Sequence, residues 1–227
     1  MAEPAALTIR RNWSRPGPRV IESLRGAPTG FIVDALGRAG AIDYRIRPVW
    51  DGPAFVGAAL PVATTARDNL APYAAIKFAR PGDVMLVATG EFEGASVIGD
   101  LIIGMMRNAG IVAAVTDGLV RDVQGIIEVG IPVYARGLSP NSPFKHGPGT
   151  IGLPITLGGV VVQPGDLVVG DCDGVVVVPS HRIDEAVAQL DAVRAKEAEM
   201  DAFVKGGSAI PTWVDKALAG ENVRFVD

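Results

Sequence analysis

E-G-A-S-V-I-G-D-L-I-I-G-M-M-R-N-A-G-I-V-A-A-V-T-D-G-L-V-R-D-V-Q-G, Glu93 to Gly125, holds the parts from which the rest of the chain can be read. A glycine-rich loop opens a helix, an apolar strand runs from Ile111 to Thr116, and an Asp-Gly turn then presents Arg121 and Asp122 side by side. A polar pair at the carboxyl end of an apolar strand marks the usual ligand crevice of an α/β protein. Adjacent opposite charges at a helix start also have a structural reading, because the helix dipole favours an Asp there. The apolar strand ahead of the pair favours the functional reading. An Arg so placed binds a carboxylate bidentately, and an Asp holds a hard cation directly or through water. In the loop before the helix, Gly94 and Gly99 let backbone approach a ligand, and the N–H groups that follow favour an anion. Glu91, Glu93 and Asp100 are acids on the same loop or helix start. The loop matches neither a P-loop nor G-x-G-x-x-G, so a nucleotide is rejected.

Around this stretch the pattern is βαβ. R-P-G-D-V-M-L-V-A at Arg80 to Ala88 has a near copy, Q-P-G-D-L-V-V-G-D, at Gln163 to Asp171, each a Pro-Gly-Asp turn feeding an apolar strand. A helix beginning near Arg121, a stop at Gly130 and a strand from Pro132 to Ala135 imply a right-handed crossover with parallel pairing. Upstream, Thr29 caps a helix that sets Asp34 and Arg38 four apart as an exposed ion pair. Ala54 to Thr65 reads as an edge or bulged strand because of Pro61. Asp68 or Asn69 caps a helix ending near Ala79. Downstream, Gly137 to Gly159 reads as a long ordered loop in which Lys145 reaches an anionic substrate or faces solvent. Strands are expected at Val160 to Val162, Leu167 to Val169 and Val175 to Val178, with D-C-D-G at Asp171 to Gly174 a turn and Cys172 a buried, inert thiol. The last long helix, capped by Ser180, runs from His181 to Lys205. Its apolar seam is Ile183, Ala186, Leu190, Val193, Met200 and Val204, interrupted by Glu197. Either that carboxylate snorkels to water or the seam packs on another subunit and aims Glu197 at a site there.

The 227 residues form one core: an arm at 1–19, a single α/β domain at 20–205 and an extension at 206–227. Hydrophobic content of 48% without a bilayer-length apolar run, and an N-terminus without an apolar signal region, predict a cytoplasmic chain that engages no membrane. One cysteine excludes an internal disulfide and a zinc cluster, so any metal is hard and oxygen-bound. A net charge of −4 offers nucleic acid no broad attraction, and a small anionic substrate needs a local Arg or Lys.

G-D-L-I-I-G-M-M-R-N-A-G-I-V-A-A-V-T-D-G-L-V-R-D, with P-V-Y-A-R-G, S-P-N-S-P-F-K-H-G-P-G and P-G-D-L-V-V-G-D-C-D-G-V-V-V-V-P, resembles one family. It contains the 4-hydroxy-4-methyl-2-oxoglutarate/4-carboxy-4-hydroxy-2-oxoadipate aldolases and the regulator of ribonuclease E activity A. The resemblance implies a layered mixed-sheet α/β fold like the phosphohistidine swivelling domain, with a long C-terminal helix, assembled as a homotrimer or homohexamer with sites between subunits. It implies Mg²⁺ or Mn²⁺ near Asp122, pyruvate oxygens near Arg121, and the amides of Gly99, Asp100, Leu101 and Ile102 around a pyruvoyl carboxylate. It also implies that Glu197, or else Glu199, completes the metal site from a neighbour, and Lys145 stays a candidate substrate contact from its place in the loop. The activity implied is class II aldol cleavage of a 4-hydroxy-2-oxo acid to pyruvate and a second oxo acid, with oxaloacetate decarboxylation. The alternatives are a non-catalytic trimeric regulator of a ribonuclease and a dedicated oxo-acid decarboxylase. A methyltransferase lacks support, since no glycine-rich S-adenosylmethionine loop is present.

Overall fold

Apolar runs fed by Pro-Gly-Asp turns build the centre of the molecule, whose computed structural model describes residues 6–226; residues 1–5 of the arm and Asp227 lie outside them. The chain begins with β1 (Leu7–Ile9), α1 (Pro18–Ser23), α2 (Thr29–Ala35), β2 (Arg47–Pro48), β3 (Phe55–Thr64), α3 (Leu70–Ala75) and β4 (Asp83–Ala88). It continues through β5 (Ser96–Ile98), α4 (Asp100–Asn108), β6 (Ala113–Thr116), β7 (Leu119–Val120), α5 (Val123–Val129), β8 (Val133–Ala135) and β9 (Gly137–Leu138). Then follow β10 (Gly149–Ile151), β11 (Ile155–Leu157), β12 (Val160–Val162), β13 (Leu167–Asp171), β14 (Gly174–Val178), α6 (Ile183–Lys205) and α7 (Thr212–Leu218).

The main sheet follows the path β1-β10-β3-β4-β6-β8-β2, with β13 joined to β3 and to β14. Strands β3, β4, β6 and β8 are mutually parallel, as the βαβ pattern requires. Both Pro-Gly-Asp turns close the same way: Arg80 N–H donates to Asp83 Oδ2 at 2.8 Å, and Gln163 N–H to Asp166 Oδ2 at 2.8 Å. Alternation along the strands sorts the core into layers. On β4, Met85 and Val87 face one cluster with Ile102, Ile103 and Met106, while Val84 and Leu86 face a second with Phe55 and Tyr134. On β14, Val175 and Val177 join that second cluster, and Val176 and Val178 join a third with Ile32, Ile183 and Leu190. Strands buried on both faces explain the continuous apolar runs. The Tyr134 hydroxyl donates to Asp171 O at 2.7 Å, and burial pushes its phenol above the ordinary value.

Several local expectations are corrected. β3 is central rather than an edge: β13 pairs its first half and β10 its second, and Pro61 falls in the gap between them, where no ladder donor is needed. Thr29 lies inside α2 and spends its hydroxyl on Asp171 Oδ1 at 2.8 Å instead of capping. Arg38 has left the helix with φ +67°, so no helix face brings it to Asp34, and no described ion pair joins them. The segment from Gly137 to Gly159 contains β9, β10 and β11, each too short to show periodicity in the sequence. Ser180 begins a short 3₁₀ turn and caps nothing; its N–H donates to Asp166 Oδ1 at 2.8 Å. Cys172 is exposed, because the two-residue turn between β13 and β14 carries it outward. On α6 the seam is buried at Ile183, Ala186 and Leu190 only, and Val204 is 61% exposed. Among the described residues no helix is long and apolar enough to cross a membrane.

Candidate active site

The cleft that holds Arg121 and Asp122 is built by a second tier of strands. β4, β6 and β8 each run on through a turn into β5, β7 and β9, which pair in parallel in the same order. The ladder continues one step further: Arg121 N–H donates to Ile98 O at 3.1 Å and Ser139 N–H to Val120 O at 3.0 Å. Gly99 and Arg121 therefore leave adjacent parallel strands side by side, at the carboxyl ends where ligands bind. Asn69, Tyr73 and Pro143 close the cleft around Gly99 to Ile102, Arg121 and Asp122.

Within it, Asp122 adopts a left-handed backbone, φ +60° and ψ +44°, at the N-cap of α5, yet its carboxylate makes no capping bond. Its Oδ2 instead lies 3.0 Å from Arg121 Nε, and Arg121 Nη1 donates to Ser142 Oγ at 2.6 Å. Gly99 makes this approach possible, since a Cβ there would lie 2.7 Å from Asp122 Oδ2. Gly99 also begins α4 without a side-chain cap. Leu101 N–H is taken by Asp100 Oδ1 at 2.7 Å, and the remaining first-turn N–H groups are left for a ligand. Gly125 has the corresponding role for Asp100: a Cβ on α5 would meet its Oδ2 at 2.5 Å. Two carboxylates, one guanidinium and a helix N-terminus thus share one small cleft, which has groups for both an anion and a hard cation.

This order of parts along the chain matches a known family over residues 29–177, described as RraA-like, Aldolase/RraA. The chain belongs to the RraA-like family. A relative from Halalkalibacterium halodurans, named "Putative 4-hydroxy-4-methyl-2-oxoglutarate aldolase", is 34% identical over 200 residues, covering 87% of this chain and 95% of its own. Among solved structures, an uncharacterized protein from Pseudomonas syringae superposes with a TM-score of 0.76 at 26% identity, over 87% of this chain and 97% of that one. Streptomyces coelicolor RraAS2, described as an unusual member of the RNase ES inhibitor RraA protein family, gives 0.74 at 26% identity, over 83% and 99%. The mixed α/β architecture with its long C-terminal helix is thus that of RraA proteins.

The RraA-like chain does not bring every expected residue to this cleft. Lys145 stands beside it, its Nζ 5.6 Å from the ring of Tyr73. Glu197 lies elsewhere, in a second cleft with Asp34, Tyr44 and Asp173, and Glu199 is exposed on α6. Asp34, read from sequence as half of an ion pair, is thereby a neighbour of Glu197. Three further residues have roles that the sequence did not reveal. Asn69 is buried and caps nothing; its Nδ2 donates to Val97 O at 3.2 Å, and its Oδ1 is without a partner beside the cleft. Asp117, 3% exposed, accepts from Thr89 N–H at 2.6 Å and from Glu91 N–H at 3.2 Å, fixing the loop that leads to β5. Arg136 bridges Glu91 at 2.6 Å and Glu93 at 3.4 Å, which accounts for two of the loop acids as structural. The sequence signals were the Asp-Gly dipeptide for Asp117, a position before a helix for Asn69, and the motif P-V-Y-A-R-G for Arg136.

Asp171, Cys172 and Asp173 have potential ligand atoms within 4.8 Å of one another. Both Asp171 oxygens are committed, however, to Thr29 N–H and Oγ1 at 2.8 Å each and to Asp173 N–H at 3.0 Å, so this is the expected hairpin turn. Asp122 is the freer carboxylate: it is 44% exposed, makes no capping bond and is paired only through Oδ2, with Arg121.

Proposed function

We propose that this RraA-like chain is a divalent-metal-dependent lyase that releases pyruvate from a 4-hydroxy-2-oxo dicarboxylic acid and decarboxylates oxaloacetate through the same enolate. The observation that carries this reading is Asp122, an uncapped carboxylate on a left-handed backbone, beside Arg121 and over Gly99. Mg²⁺ or Mn²⁺ bound at Asp122 would supply Lewis-acid polarisation of the 2-keto oxygen. The first turn of α4, from Gly99 to Ile102, holds the pyruvoyl carboxylate on its free N–H groups. Arg121, steadied by Ser142, directs its guanidinium at the oxygen on which charge develops as the C3–C4 bond breaks. Asp100, on the same wall, is the carboxylate available to take the C4 hydroxyl proton through solvent. No Schiff-base lysine is needed.

In this reading a neighbouring copy completes the cleft with Glu197, accompanied by Asp34, or with Glu199. Its support is that the outer half of α6, including Met200 and Val204, is uncovered by its own chain. A homotrimer or homohexamer provides such a neighbour. A purely regulatory protein on this fold is the second reading, and what favours the lyase is that Asp122, Arg121 and the start of α4 converge on one cleft. The test is pyruvate release from 4-hydroxy-4-methyl-2-oxoglutarate and from oxaloacetate, with Mg²⁺ and with a chelator. Both reactions are expected to require the cation. Turnover that persists in chelator, or no turnover of either compound, overturns the proposal.

A further inference from the structure

Two loops meet at the mouth of the cleft and are stitched together at three points. Phe144 N–H donates to Arg67 O at 2.7 Å, Asn69 N–H to Phe144 O at 3.0 Å, and His146 N–H to Asp68 Oδ2 at 2.6 Å. The stitching fixes Arg67, whose backbone is left-handed at φ +58°. Its guanidinium lies along the second loop: Nη2 donates to Asn141 Oδ1 at 3.2 Å, Nε reaches Ser142 O at 3.4 Å, and Cζ is 5.1 Å from the Phe144 ring. Ser142 is also where Arg121 lands, at 2.6 Å. One serine therefore has a guanidinium on each side, one rising from the cleft and one at its mouth. Lys145, over the Tyr73 ring, adds a third cation to the same loop pair.

This concentration of positive charge runs against a net charge of −4. Among the described residues no carboxylate forms an ion pair with Arg67 or Lys145. A left-handed loop position is better served by Gly or Asn, so the loop itself does not call for an arginine there. Arg67 and Lys145, without a carboxylate partner among the described residues and held on loops tied together by hydrogen bonds beside a cleft, fit an anion supplied by a ligand.

We propose that Arg67, backed by Lys145, forms a second anion subsite at the mouth of the cleft and reads the carboxylate at the far end of the substrate. The proposal rests on the lyase reading above: with the pyruvoyl carboxylate on α4 and the reacting carbons beside Arg121, the C5 carboxylate of a 4-hydroxy-2-oxo dicarboxylate extends toward Ser142 and Arg67. Pyruvate, which lacks that end, makes no use of the subsite.

The experiment compares wild type, Arg67→Asn and Arg67→Lys in two assays with Mg²⁺. The first is cleavage of 4-hydroxy-4-methyl-2-oxoglutarate. The second is exchange of pyruvate methyl protons with D₂O, which any catalyst that protonates the pyruvate enolate must also perform in reverse. Asn suits the left-handed backbone, so Arg67→Asn keeps the loop while removing the charge. The expected result is a KM for the dicarboxylate raised about 10- to 100-fold, pyruvate exchange unchanged and partial recovery in Arg67→Lys. An unchanged KM, or exchange that falls in step with cleavage, overturns the subsite while leaving the lyase reading intact. A wild type inert in both assays overturns the lyase reading and the subsite with it.

Discussion

At Asp122 the backbone turns left-handed, a conformation that costs a non-glycine residue about 1 kcal/mol and holds only where the surroundings enforce it. The parallel ladder from Ile98 to Arg121 on one side and the start of α5 on the other do so here. Gly99 is the counterpart across the ladder, and it yields the sharpest single substitution. Gly99→Ala sets a methyl 2.7 Å from Asp122 Oδ2 and 3.3 Å from Arg121 Cγ, so the carboxylate must move. Pyruvate release is expected to fall about 100-fold, the usual consequence of displacing a reacting group by about 1 Å. The melting temperature should change little, because Gly99 has an extended φ of −137° that alanine also adopts. Steady-state kinetics beside a thermal melt checks this, and unimpaired turnover contradicts the packing described.

Among the elements, legibility followed length. The Pro-Gly-Asp strands, α4 and α6 announced themselves through apolar runs and spacings of three and four. The second tier, β5, β7 and β9, did not, since strands of two or three residues carry no period. Arg121 and Asp122 could thus be picked out, while the reason they stand next to Gly99 could not. Pro61 misled for a related reason: a proline in a strand argues for an edge, and only the relay of β13 and β10 along β3 shows how a central strand accommodates it. On α6 the seam divides into two parts with separate expectations. Leu190→Ala, in the buried part, should destabilise the chain by about 2–5 kcal/mol. Met200→Asp with Val204→Asp, in the uncovered part, should leave the melt of the isolated chain nearly unchanged and reduce the assembled mass in light scattering. An unaltered mass contradicts the proposed covering of α6 by another copy.

For the molecule as a whole, one chain presents the proposed site in one cleft and, elsewhere, a pair of carboxylates in another. Gly99, Arg121 and Asp122, the proposed anion cradle and cation anchor, line one cleft, while Glu197 and Asp34 face a separate one. The sequence showed Glu197 as the odd charge on an apolar seam, but its partner Asp34 stayed hidden because their approach depends on α2 packing against α6. In the proposed assembly the two halves meet across a contact between copies. This central claim is tested most directly by mixing two defective variants, Asp122→Ala and Glu197→Ala, and measuring Mg²⁺-dependent pyruvate release. Each variant alone is predicted to be inactive, and the mixture to recover part of the wild-type rate in assemblies that combine an intact Asp122 with an intact Glu197. Activity in Asp122→Ala alone, or no recovery in assemblies shown to contain both chains, would contradict the account.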